Sequence, residues 1–119
     1  MALLHARPGR PIDIAPLGGA LHECETHAIL KTRSLELMRV VLRAGEGLPP
    51  HHVRGESTLL CIEGEVEVRV EGIPYRLRSN QLVLLAAQTQ HAVLAIEDSS
   101  LLLTIQLPPG SPGSESSTD

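Results

Sequence analysis

The chain has 119 residues, 42% of them apolar and 20% charged, with a formal net charge of −4. That composition describes one globular domain with a core large enough to need no metal or disulfide support. Tyr75 stands without any Phe or Trp, and the arginines are scattered along the sequence, which excludes both an aromatic stacking platform for bases or sugars and a basic stripe for nucleic acid.

In chain order, residues 1–19 are rich in proline and glycine and read as an N-terminal arm, with a short extended piece expected at 12–15. No charged start followed by a long apolar stretch marks a signal peptide, and no apolar run reaches the length of a membrane span. A cytoplasmic protein is therefore expected, with no membrane partner. From residue 20 to 107 the apolar period is 2. Strands are expected at 35–43, 57–63, 65–72, 73–78, 82–87, 91–96 and 101–107, the clearest being EVEVRVEG, where Val66, Val68 and Val70 alternate with Glu65, Glu67 and Arg69. Many short strands at this spacing point to an all-β sandwich or barrel. Residues 108–119, PPGSPGSESSTD, hold no hydrophobe and read as a disordered tail. Cys24 and Cys61 lie far apart with no CxxC spacing, and Cys61 reads as a small buried hydrophobe.

The stretch PPHHVRGES carries the strongest motif signal. Gly45 stands six residues before His51, Gly64 closes the next strand, and His91 follows a second polar turn, AAQTQ. This spacing resembles the cupin family, specifically its small single-domain, RmlC-like members, over about residues 26–107. The resemblance implies a jelly-roll barrel, a double-stranded β-helix, in which two histidines and a glutamate of a first motif and a histidine of a second bind one divalent metal. Carried over residue by residue, His51 and His91 match. The second histidine position holds Val53 and the glutamate position holds Ser57. His52 and Glu56 each miss by one residue and reach the site only if the turn carries a bulge, because a one-residue slip turns a side chain to the opposite face.

The candidate metal ligands are thus His51 and His91, joined on that condition by His52 and Glu56. The ion would be a divalent transition metal such as Zn, Fe, Mn, Ni or Cu. Glu56 is also the candidate general base. Ser57, Leu59, Cys61, Gln90 and Val93 are the candidate ligand pocket, with Thr58 beside them. His5, His22 and His27 are read as exposed. The expected interior comprises Leu59, Cys61, Val66, Val68, Val70, Leu82, Leu84 and Val93, an aliphatic space suited to a small, largely apolar organic ligand. The expected outer face carries Leu60, Ile62, Val83, Leu85, Leu102 and Leu103, which needs cover from the arm or from a second copy, so a homodimer is expected. Three functions stay open: a metal-dependent oxygenase or isomerase, a metal-free binding or sensing module, and a structural dimerisation domain.

Overall fold

The computed structural model describes residues 7–51 and 54–107, with His51 described by its backbone alone. The first six residues of the arm (with His5), His52, Val53 and the 108–119 tail lie outside the described residues. A 3₁₀ turn at Gly18–Glu23 precedes nine strands: β1 His27–Lys31, β2 Leu35–Leu42, β3 Gly47–His51, β4 Ser57–Glu63, β5 Glu65–Val70, β6 Ile73–Arg78, β7 Leu82–Leu85, β8 His91–Ala95 and β9 Ser99–Gln106. They form two antiparallel sheets, one ordered β1-β2-β9-β4-β7 and the other β3-β8-β5-β6. The alternating pattern and the short strands imply a sandwich or barrel, and the two sheets take the jelly-roll order that the resemblance implies. Two strands escape the sequence pattern, β1 and β3, and both are sheet edges.

Directly opposed residues in an antiparallel ladder share a face, so the register maps the core. In the larger sheet the inner rows run Val40–Leu101–Cys61, Met38–Leu103–Leu59–Val83 and Glu36–Ile105–Ser57–Leu85. In the smaller sheet they run Ala95–Val66–Leu77 and Leu48–Val93–Val68–Tyr75. The buried members of these rows pack as one cluster between the sheets, with Leu59, Cys61, Val66, Val68, Leu85 and Leu101 essentially inaccessible. The core is aliphatic throughout, as a chain with one aromatic residue requires.

The parity expected for β7 is corrected. Leu82 and Leu84 were expected inside, yet they are 60% and 61% exposed, while Leu85 is buried and Val83 packs on the core. The run LVLLAA is apolar at every position and carries no alternation from which to read a face. The face is set by the preceding turn instead. There Asn80 N–H donates to Cys61 O at 2.7 Å, Cys61 N–H donates to Gln81 O at 2.9 Å, and the Gln81 side chain accepts from Arg78 N–H at 2.8 Å. Leu103, expected outside, is likewise buried in the core. The gap left at 97–100 between the last two expected strands is shorter than that, because Ser99 and Ser100 are buried and begin β9. No strand forms at residues 12–15.

The arm folds back over the outer face of the larger sheet. The Glu63 carboxylate accepts the N–H groups of Leu17 and Gly18 at 2.8 and 3.0 Å and the Ser100 hydroxyl. Arg39, 5% exposed on that face, donates to Ala15 O at 3.1 Å. Leu21 in the 3₁₀ turn is buried, Arg43 donates to His22 O, and His22 Nε2 lies 2.9 Å from Asp98. The arm therefore covers the part of the outer face that carries Arg39 and Glu63. No helix among the described residues is long and apolar enough to cross a membrane.

Candidate functional site

The two motif histidines meet by register. β3 pairs with β8 so that Leu48 opposes Val93 and His51 opposes His91, which means three steps on β3 match two on β8. The extra residue falls at Pro49–Pro50. Proline cannot donate to a ladder, so it sits at a bulge on an edge strand, and β3 is such an edge. Without that bulge Pro50 would oppose His91. His91 is also opposite Val70, and Val70 opposite Ile73, so one row crosses the smaller sheet as His51–His91–Val70–Ile73.

His91 is 4% exposed, and its Nδ1 lies 3.2 Å from Thr89 O. A carbonyl only accepts, so Nδ1 carries the proton and the neutral ring has its lone pair on Nε2. That tautomer, fixed by a backbone carbonyl, is the one found in ligating histidines. Beside the ring lies a shallow pocket of about 160 Å³ lined in part by Pro50, Gly72, Gln90 and Ala92.

The remaining candidates are dispersed. Ser57 is buried on the inner face of β4, and its Oγ has no hydrogen-bond partner among the described residues. Glu56 is exposed, so its carboxylate lacks the semi-apolar enclosure expected of a general base. Its backbone pairs with Gln106, donating to the side-chain oxygen and accepting from the backbone N–H. Gln90 is exposed at the rim, and Thr58 opposes Leu84 and Thr104 on the outer face. Leu59, Cys61 and Val93 are buried in the core cluster and line none of the cavities described here. Burial and the neighbouring Glu63 push the Cys61 thiol up to about 11, so it stays protonated near neutrality and is a packing residue, not a nucleophile. His52 lies outside the described residues.

The donor set bears directly on the metal that the resemblance implies. Among the described residues no group of three or more His, Cys, Asp or Glu is placed to hold an ion. An uncharged, buried hydroxyl stands at position 57 where the family pattern has a carboxylate. Two imidazoles without a carboxylate leave the ion's charge unneutralised by the protein. The described residues, with Ser57 at the carboxylate position, do not make up the four-ligand set of the pattern.

No family model matches the chain, and no curated protein does. Solved structures do. The chain is similar to a cupin superfamily protein from Desulfitobacterium hafniense (TM-score 0.72, 14% identity, covering 91% of this chain and 100% of that one). It is also similar to a conserved protein of unknown function from Streptococcus pyogenes (0.68, 21%, 71% and 75%) and to an RmlC-like cupin from Shewanella frigidimarina (0.66, 16%, 71% and 77%). The fold is thus that of the small cupins, a double-stranded β-helix. Proteins of this fold have varied or unknown functions, so fold alone assigns none here.

Proposed function

We propose that the chain is a cupin-fold binding module without a resident catalytic metal. Its recognition point is the His51–His91 pair at the barrel mouth. The observation that carries this reading is the β3–β8 register, which places position 51 opposite His91 through the Pro49–Pro50 bulge. Ser57 at the carboxylate position supports exchangeable binding over tight retention. A divalent transition metal held by two imidazoles and water is the occupant this donor set favours, with a Kd on the order of 10–100 µM.

Metal analysis of dialysed protein tests it. Far less than one metal per chain is expected after dialysis, with added Zn²⁺ or Ni²⁺ raising the thermal midpoint. His51→Ala and His91→Ala should each abolish that rise. One tightly retained ion per chain would overturn the reading. A wild type indifferent to added metal would favour a metal-free pocket, in which His91 and Gln90 offer the polar contacts to a small ligand.

Self-association is part of the same reading. Leu82 on β7, in register with Leu60 and Leu102, and Leu84 two residues on leave an exposed apolar strip on the outer face of the larger sheet. Burying it against a second copy removes that surface from water. Light scattering should find a dimer in the wild type and a monomer in the Leu82→Glu/Leu84→Glu double variant, whereas a monomeric wild type would end this proposal.

A further inference from the structure

A cavity of about 570 Å³ lies outside the barrel, between the folded-back arm and the β1–β2 end of the larger sheet. It is more than three times the volume of the pocket beside His91, and it falls within the range of small-molecule sites. Its charged lining is one-sided. Arg7, Arg10 and Arg39 face it against the single carboxylate of Asp13, an excess of two positive charges in a chain whose net charge is −4. Ile12 and Leu17 of the arm and Ile29 of β1 supply apolar walls.

Arg39 is the fixed member. It is buried on a strand, opposite His27 and Leu102. The one hydrogen bond described for its guanidinium goes to Ala15 O, out of five N–H donors. The Glu63 carboxylate, which feels the Arg39 charge, is already engaged by Leu17, Gly18 and Ser100. Among the described residues, neither Arg7 nor Arg10 makes a side-chain ion pair. His27 has its Nδ1 2.8 Å from Glu25 O, so that nitrogen donates and Nε2 is the accepting one when the ring is neutral. Three guanidinium groups around apolar walls make a surface for a planar or tetrahedral anion carrying a hydrocarbon body.

We propose that this cavity binds a small organic anion, a carboxylate or phosphate head on an apolar body, independently of the barrel mouth. The arm then acts as one wall of a binding site, and ligand and arm hold each other in place.

Titration calorimetry on the full chain with hexanoate, hexanol and inorganic phosphate tests it, with amide shifts recorded by NMR to locate the site. Hexanoate should bind and shift the amides of the arm and β1, its affinity should fall with added salt, and hexanol should bind at least about tenfold more weakly. Inorganic phosphate separates the head from the body: binding comparable to hexanoate assigns the site to the anionic head, and weaker binding adds the apolar walls. Arg7→Gln/Arg10→Gln alters exposed positions that the fold does not need and should cost about tenfold in hexanoate affinity. Arg39→Lys, which keeps the charge and loses the planar fork, should cost a similar factor. His91→Ala should change nothing. Equal binding of hexanol and hexanoate, an unaffected Arg7→Gln/Arg10→Gln variant, loss of binding in His91→Ala, or no heat at about 10 mM hexanoate would each overturn the proposal.

Discussion

Replacing Gly64 with alanine should destabilise the protein by about 4 kcal/mol and lower its thermal midpoint by about 15 °C. Gly64 is the single residue between β4 and β5, where the chain leaves one sheet for the other, and it does so at φ +90°. An L-residue there carries about 1–2 kcal/mol of backbone strain. The new methyl would also run into Asp98 O and Ser99 Oγ and sit 2.8 Å from Ser99 Cα. These are not soft neighbours. Ser99 Oγ bonds Glu97 O at 2.7 Å and accepts Glu65 N–H at 3.1 Å, and Asp98 accepts Ala44 N–H at 2.9 Å. Gly72→Ala is the control, since Gly72 has φ +84° but open space around its Cα; it should show the strain alone. Thermal melts of the two variants separate the contributions, and equal losses would mean that the close approach at Gly64 relaxes without cost.

Glu63→Ala should release the arm and lower stability by about 2 kcal/mol, or about 8 °C in midpoint. Two backbone N–H groups, of Leu17 and Gly18, and the Ser100 hydroxyl lose their common acceptor. Glu63→Gln keeps one accepting oxygen and should lose less. Burial alone would raise the Glu63 pKa, but the hydrogen bonds from Ser100, Leu17 and Gly18 and the charge of Arg39 outweigh it and hold the carboxyl below its ordinary 4.5. A depressed carboxylate contributes stability above its unfolded pKa and loses it as pH falls through the folded value. Arm docking should therefore be complete at neutral pH, begin to weaken only once the pH drops below the ordinary 4.5, and be lost as the pH falls through the lower value of the folded carboxyl. Limited proteolysis reads this directly: cleavage within residues 7–23 should be slow in the wild type at pH 7 and fast in Glu63→Ala. Equal cleavage rates would show that other contacts hold the arm.

Alternation made β5 readable from sequence, and with it Val66 and Val68 as core, while the register implied by the family resemblance picked out Leu59, Cys61 and Val93. Alternation failed at β7, where every residue is apolar and only the turn at Asn80–Gln81 decides which face is buried. It also failed at β3, since GLPPH looks like a turn until the edge position explains its prolines. The facing of His51 and His91 was legible through motif spacing, but the bulge that produces it was not. Gly64 was legible as a motif glycine, while the reason for it, a crowded crossing against Asp98 and Ser99, needs the tertiary structure. Arg7, Arg10 and Arg39 look scattered in the sequence because only the folding back of the arm gathers them.

The Pro49–Pro50 pair has a bearing on colloidal behaviour as well. A jelly roll of two open sheets has four margins, each able to template a strand from another molecule. At the β3 margin two consecutive residues lack an amide hydrogen, so cross-molecular ladders cannot propagate there. The same dipeptide that brings the histidines into line also helps keep concentrated solutions of the protein from growing fibres along that margin.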